Sequence, residues 1–147
     1  MNAIVIFESL TGNTRHAAEL ITEELIRSGV PTVISPIDKI DLQALSEADL
    51  VVVGGWVDGL FFFGQRPGRA GKLVSMPVID GKLAAVFCTY AVNAGSTLEQ
   101  MSGIVSRRGG EVIGGMTIRR NKMADGAIEF VGRLLGAIDQ RQASSSA

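Results

Sequence analysis

The sequence predicts an α/β fold with three layers, in which helices cover both faces of a doubly wound, five-stranded parallel sheet. Short runs rich in valine and isoleucine recur five times along the chain, and segments with helical periodicity lie between most of them. Parallel strands need crossover connections, which helices supply with a right-handed path. Ligands of such sheets bind beyond the carboxyl ends of the strands, near the point where strand order reverses.

The five candidate strands are short and apolar, as is typical of strands that are covered on both faces. They span residues 3–7, 31–35, 50–55, 83–88 and 111–118. If they form this sheet, three loops lie at the ligand-binding edge: residues 8–14, 55–68 and 89–97. All three loops are rich in glycine or polar residues.

Apolar residues at helical spacing predict three core-facing helix stripes. Their members are Ala17, Ala18, Ile21 and Leu25 in the first, Leu98, Met101 and Val105 in the second, and Ile128, Val131, Leu135 and Ile138 in the third. Gly29 and Gly109-Gly110 stand where left-handed helix caps are expected, and Ser96 with Glu99 predicts a capping box. A short helix is expected within 36–49.

Length and composition favour one soluble globular domain. The chain has 147 residues, a net charge of -1, 20% charged, 46% hydrophobic and 5% aromatic residues. We expect a single domain over residues 1–142 and a disordered tail over 143–147, which is small and polar. This charge balance argues against a nucleic-acid partner.

The single cysteine and the amino terminus indicate the compartment. Cys88 cannot form an internal disulfide, and the first residues enter a strand without a charged segment or a cleavage site. The cytoplasm is therefore the expected location. No apolar run approaches the roughly 20 residues that a membrane-spanning helix needs, so membrane insertion is not expected.

The stretch "SLTGNT", residues 9–14, carries the clearest functional pattern. It follows the first strand and precedes the first helix, where free N–H groups and the helix dipole favour an anion. Gly12 allows a tight backbone turn, the hydroxyls of Ser9, Thr11 and Thr14 can donate hydrogen bonds, and so can the Asn13 amide. The stretch lacks the lysine of a nucleotide triphosphate loop and the third glycine of a dinucleotide fingerprint. We predict a phosphate cradle; the alternative is a simple helix cap.

The run "IVIFESLTGNT" resembles the flavodoxin signature, in which a first strand precedes Ser/Thr-x-Thr-Gly-x-Thr. This resemblance, over nearly the whole chain, implies a short-chain, flavodoxin-like domain with strand order 2-1-3-4-5. It implies that the loop binds the phosphate of FMN and that the loops after the third and fourth strands enclose the isoalloxazine ring. The function so implied is electron transfer between redox partner proteins, a flavin reductase and an acceptor.

Within this resemblance, Trp56 is the leading candidate to stack on the ring, and Tyr90 is a candidate for an outer stacking group. Gly59 or Gly55 is the candidate for a peptide that turns its carbonyl toward the reduced ring. The sequence departs from the motifs that are common in the family at residues 54–59, "GGWVDG". The candidate FMN-binding residues are Ser9, Leu10, Thr11, Gly12, Asn13, Thr14, Gly55, Trp56, Val57, Asp58, Gly59, Thr89, Tyr90, Asn93 and Gly95.

Two further features bear on redox behaviour and partners. Asp58 is the only acid in residues 55–68, and residues 88–97 contain none. Because a nearby negative charge disfavours an anionic reduced ring, we expect a less negative low-potential couple than in the acidic members of the family. Phe61, Phe62 and Phe63, followed by Arg66 and Arg69, form a candidate apolar docking patch with a basic rim.

Three functions remain open from the sequence. The first is an FMN electron carrier, which needs no catalytic acid or base; no catalytic residue and no metal ligand is assigned. The second is an FMN-dependent oxidoreductase that acts directly on a quinone or porphyrinogen-like substrate. The third is a binding module that has kept the fold without the flavin, since a fold does not determine a function.

Overall fold

The structure, a computed structural model, describes residues 1–8, 12–56 and 76–146. Its five strands are β1 (Ala3–Phe7), β2 (Thr32–Pro36), β3 (Leu50–Trp56), β4 (Leu83–Tyr90) and β5 (Glu111–Arg119). They form one sheet in the order β2-β1-β3-β4-β5, and every neighbouring pair is parallel. The predicted fold class and strand order are confirmed.

Helices cover both faces of this sheet, as parallel crossovers require. They are α1 (Asn13–Arg27), α2 (Leu42–Glu47), α3 (Thr97–Arg107) and α4 (Met123–Ser146), with 3₁₀ turns at Ile37–Lys39 and Arg120–Lys122. The side chains of α1 and α4 share one hydrophobic core, whereas those of α2 and α3 belong to the core on the opposite face. In the described part of the chain, no helix combines the length and the apolar character that crossing a bilayer requires.

Alternation along the strands divides their side chains between the two cores. Val52 and Phe87 face α1 and α4, whereas Val53 and Val86 face α2 and α3. The tightest contact involves Gly54 of β3, because a Cβ atom there would lie 2.0 Å from Cζ of the Phe87 ring. Glycine at this position therefore lets the large Phe87 side chain pack flat against the sheet.

The structure confirms the left-handed caps of α1 and α3 but not the capping box. Gly29 and Gly109 have φ of 92° and 96°. Ser96, at the start of α3, has φ -94° and ψ 13° instead of extended backbone, and its side chain caps no backbone N–H group. The Gln100 side-chain amide donates to Ser96 Oγ instead, at 2.9 Å. The predicted capping box is therefore wrong.

The stripe predicted for the last helix is also wrong at one position. Ile128 is 54% exposed. The inner face of α4 consists of Ala127, Phe130, Val131, Leu134 and Ile138. Phe130 belongs to this face because its ring packs against that of Phe87, with the centroids 6.0 Å apart.

The end of α4 differs from the sequence-based expectation as well. The helix continues through Ser146, across most of the segment for which the sequence predicts a disordered tail. Arg141, on α4, forms an ion pair with Glu111 at the start of β5, and both side chains are about half exposed. Ser145 Oγ donates to the Arg141 carbonyl at 3.0 Å, so this serine satisfies a backbone acceptor near the helix end.

Candidate functional site

The candidate site lies at the carboxyl edge of the sheet, where β1, β3 and β4 end side by side because the strands are parallel. The structure places part of the predicted set there: Gly12, Asn13, Thr14, Gly55, Trp56, Thr89, Tyr90, Asn93 and Gly95. The remaining predicted positions lie outside the described residues: Ser9, Leu10, Thr11, Val57, Asp58, Gly59 and the docking patch Phe61, Phe62 and Phe63.

The start of α1 has the features of an anion-binding helix end. Gly12 occupies the N-cap position with φ 92° and ψ -11°, a left-handed conformation that favours glycine. Glycine contributes no side-chain acceptor to the first N–H groups, and the first turn contains no acidic residue. Apart from Gly12 itself and its two neighbours in the chain, no atom of the described residues lies within 4 Å of the position that a Gly12 Cβ would take, so these residues leave open space there. The dipole at this end favours a negative group.

A chain of hydroxyl hydrogen bonds ties the start of α1 to the ends of two strands. Thr14 Oγ1 donates to the Gly55 carbonyl of β3 at 3.3 Å and lies 2.8 Å from Thr89 Oγ1 of β4. A hydroxyl carries one hydrogen, so Thr14 accepts from Thr89 when it donates to Gly55. Both threonines are buried. The start of α1 is therefore fixed directly to the ends of β3 and β4, the strands that precede the predicted ring loops.

The two aromatic candidates lie on opposite faces of the sheet edge. Trp56 pairs with Thr89 in the β3/β4 ladder, and alternation places its side chain on the α1 side. Its indole Nε1 is buried and has no hydrogen-bond acceptor among the described residues. Tyr90 packs against the core on the α3 side. A flat group over the strand ends would therefore have one aromatic residue on each side.

The loop after β4 is shaped by a local turn. Asn93 Oδ1 accepts from the Gly95 N–H at 2.8 Å, and Gly95 is left-handed with φ 57°. Both residues are exposed. The Asn93 side chain therefore uses its oxygen to hold the turn, and its amide nitrogen remains as the donor that a ligand could use.

Cys88 lies beside Thr89 in β4 but points into the opposite core. It is fully buried, and this burial, together with the charge of Glu99 on α3, raises the pKa of its thiol to about 12. A thiol with such a pKa is protonated at neutral pH and therefore a poor nucleophile. This agrees with assigning Cys88 no chemical role.

Two residues of this edge were missed by the sequence analysis. Glu8, directly after β1, is only 2% exposed, and its side chain faces away from α1. Arg119, the last residue of β5, has its guanidinium carbon 5.6 Å from the centroid of the Tyr90 ring. Two features of the sequence could have indicated them: an acid between the first apolar run and the motif, and the basic run "RRNK", residues 119–122, directly after the last predicted strand.

Comparison with known families identifies the family of this chain. The model of the flavodoxin domain matches residues 4–134. The chain belongs to the flavodoxin family. Membership places it among flavoproteins that transfer electrons. No curated protein matches this flavodoxin in sequence.

Solved flavodoxins share the fold of this family member at low sequence identity. A flavodoxin from Archaea is 22% identical, with a TM-score of 0.63, over 90% of this chain and 98% of its own. Flavodoxin 2 from Bacillus cereus is 22% identical, with a TM-score of 0.65, over 90% and 99%. A point mutant of a Pseudomonas aeruginosa flavodoxin is 14% identical, with a TM-score of 0.72, over 95% and 99%.

The described residues of this flavodoxin fit a phosphate-bearing flavin. The start of α1 offers a left-handed glycine, open space and no acid in its first turn. At the neighbouring strand ends, a buried indole N–H lacks an acceptor within the described part. Among these same residues, no group of three or more His, Cys, Asp or Glu side chains is placed to hold a metal ion.

Proposed function

We propose that this flavodoxin binds FMN and carries electrons between a reductase and an acceptor protein. The observation that supports this most directly is the start of α1. It combines a left-handed Gly12, which has no side chain to cap the helix, with a first turn that contains no acid, at the carboxyl edge of the sheet. Backbone N–H groups at a helix start are suited to a phosphate, and FMN carries one.

In this proposal the residues 9–14 bind the phosphate, and Asn13 contributes a side-chain amide at the first helical position. Bound FMN supplies the redox chemistry, since it accepts and releases electrons one or two at a time. The protein supplies binding and orientation. Trp56 and Tyr90 lie on opposite sides of the edge and limit the space for the ring, while Asn93 donates from the loop after β4.

We give different roles to the two glycines that were candidates for a turning peptide, because the carbonyl of one of them takes part in the hydroxyl chain. Gly55 lies within the β3 ladder, where it pairs with Cys88, and its carbonyl accepts from Thr14. Turning this peptide would break a buried hydrogen bond, which costs about 1–3 kcal/mol. We therefore assign the turning peptide to Gly59 and give Gly55 a structural role.

Two measurements test the proposal. The purified protein is mixed with FMN or with riboflavin, unbound flavin is removed, and the visible spectrum is recorded during stepwise anaerobic reduction. Retention of FMN but not of riboflavin, and reduction in two resolved one-electron steps, are the expected results. A protein that retains neither flavin contradicts the proposal.

The same titration separates the carrier from a direct oxidoreductase. A protein that retains FMN, is reduced in a single two-electron step and turns over a quinone without a protein partner is an FMN-dependent oxidoreductase instead. In that case Phe61, Phe62 and Phe63 would line the substrate side, and these three residues lie outside the described residues.

A further inference from the structure

The carboxyl edge of β5 carries a basic cluster, which we define as Arg119, Arg120 and Lys122. Arg119 ends β5, and the other two residues belong to the 3₁₀ turn that leads into α4. Arg119 and Lys122 are exposed, and Arg120 is partly exposed. Three of four consecutive side chains are therefore cationic at this corner of the molecule.

The cluster lies beside the candidate site. Arg119 pairs with Tyr90 in the β4/β5 ladder, and its guanidinium stacks over the Tyr90 ring. Tyr90 in turn follows Thr89, whose hydroxyl contacts Thr14 at the start of α1. The cationic corner is thus one strand away from the edge at which the flavin is proposed to bind.

The three side chains of the basic cluster form no ion pair with an acidic residue in the described part of the chain. No carboxylate within the described ranges pairs with Arg119, Arg120 or Lys122, and the Arg120 Nε is buried without an acceptor there. Four arginines elsewhere differ, since N···O distances of 2.5–3.9 Å join each to a glutamate: Arg15, Arg27, Arg133 and Arg141. Arg107 and Arg108, at the end of α3, resemble the cluster in having no such pair among the described residues, and Arg108 Nε is also buried without an acceptor there. Asp125, in the first turn of α4, is the acid nearest to the cluster in sequence.

We infer that the basic cluster is the docking surface for a redox partner protein with an acidic face. This inference rests on the proposed function, because it assumes that electrons leave or enter at this edge. Opposite charges steer diffusional encounter, and the effect weakens as salt screens it. The three cations of the cluster pair with no described carboxylate and lie next to the edge at which the flavin is proposed to bind. They therefore favour a partner with an anionic surface at that position.

The test measures how ionic strength affects electron transfer to two haem proteins of opposite charge. Reduced, FMN-loaded protein is mixed in a stopped-flow instrument with cytochrome b5, which has an acidic face, or with cytochrome c, which has a basic one. We expect the rate with cytochrome b5 to fall roughly tenfold between low and high salt, and the rate with cytochrome c to stay level or rise. The sign of each slope does not depend on the difference in driving force.

Matched variants locate the effect. The variant R119Q/R120Q/K122Q should lose most of the salt dependence with cytochrome b5. The control R27Q/R133Q/R141Q removes the same three positive charges from ion-paired positions elsewhere and should keep the wild-type slope. Equal slopes in the two variants, or a wild-type rate with cytochrome b5 that rises with salt, would overturn the inference.

Flavin content distinguishes failure of this inference from failure of the proposed function. A protein that holds FMN but shows no cluster-dependent slope refutes the docking surface alone. Whether or not flavin is retained, an NMR titration with cytochrome b5 should shift the backbone amides of residues 119–122 more than those of Arg27 and Arg133. The absence of such shifts at low salt counts against the docking surface independently of the flavin.

Discussion

Helices α1 and α3 both begin at the carboxyl edge of the sheet, on opposite faces, but their first turns are built differently. The first turn of α1 follows a left-handed glycine and contains no acid. The first turn of α3 contains Glu99, and at its start the Ser96 side chain is engaged by Gln100. A helix start that already carries an acid is electrostatically satisfied by its own chain, whereas the start of α1 is suited to an external anion.

The same division appears in two neighbouring residues of β4. Thr89 faces α1, and its hydroxyl joins the chain to Thr14 and Gly55. Cys88 faces α3, and its thiol is buried close to the charge of Glu99. On the α1 side of the edge, hydrogen bonds therefore hold hydroxyl groups in a fixed geometry. On the α3 side, an apolar core surrounds the Cys88 thiol, and Glu99 is the acid close to it.

The largest effect is expected from moving an acid into the first turn of α1. Asn13→Asp should weaken FMN binding by roughly a hundredfold, because the new carboxylate repels the phosphate across a few ångströms. The ligand-free protein should instead unfold at the same or a higher temperature, since an acid at a helix start stabilises by about 0.3–1 kcal/mol. Calorimetric titration with FMN and thermal unfolding without it measure the two effects.

Glu99→Gln is the matched control on α3 and should leave FMN affinity unchanged. If Asn13→Asp binds FMN as tightly as the parent protein does, the comparison between the two helix starts fails.

Alkaline pH tests the apolar side of the edge. The Cys88 thiol has a pKa of about 12 in the folded protein, and about 8.5 is usual for an unfolded chain. Between these values the unfolded state releases a proton that the folded state keeps. The contribution of the thiol to the free energy of unfolding should therefore be fully present below about pH 8.5. Above that pH it should fall by up to about 1.4 kcal/mol per pH unit. The free energy of unfolding of wild type minus that of Cys88→Ala, measured by urea unfolding from pH 7 to pH 11, isolates this loss.

Glu99→Gln should reduce the alkaline loss, because the charge of Glu99 raises the thiol pKa. A difference between wild type and Cys88→Ala that does not change with pH would contradict the buried, protonated thiol.

A smaller effect is expected from breaking the hydroxyl chain. Thr14→Val and Thr89→Val should each lower the free energy of unfolding by about 1–2 kcal/mol, because each leaves a buried polar group without its partner. The double variant should lose less than the sum, since the two hydroxyls contact each other.

The matched control for the hydroxyl chain is Thr22→Val. Thr22 Oγ1 donates at 2.8 Å to the Ala18 carbonyl of its own helix, so its loss should have little effect. If the losses in the free energy of unfolding of the two single variants, measured with denaturant, add up to that of the double variant, then Thr14 and Thr89 do not stabilise each other, which contradicts the prediction.

The smallest effect concerns the reduction potentials. The low-potential couple should be less negative than in acidic flavodoxins, and Arg119→Gln should lower it by about 20–60 mV, since a nearby cation favours an anionic reduced ring. Arg133→Gln removes an equal charge from an ion pair on α4 and should have a smaller effect. Anaerobic redox titration measures both. A wild-type value as negative as that of the acidic members refutes the expectation.

Local patterns were sufficient for the sheet and for the main motif. Alternating apolar runs and helical stripes predicted all five strands, the family resemblance implied their order, and the structure confirms both. Gly12 was predicted to permit a tight turn, and it has the positive φ that such a turn uses. The roles of the predicted flavin-binding residues remain predictions.

Where the sequence analysis went wrong, contacts distant in sequence decided the outcome. Helical spacing alone did not distinguish Ile128 from Phe130, and the ring of Phe87, 43 positions before Phe130, selected the inner face of α4.

The sequence by itself determined the α/β fold, the position of the glycine turn before α1 and the near-neutral charge, because these follow from local propensity, periodicity and composition. Only the tertiary structure brought Thr14, Gly55 and Thr89 into one hydrogen-bonded chain and placed Arg119 over Tyr90. Such contacts join residues that are 29 to 75 positions apart. These contacts depend on the register between neighbouring strands and on the face of the sheet to which each side chain points. Local patterns in the sequence do not specify which distant residues meet.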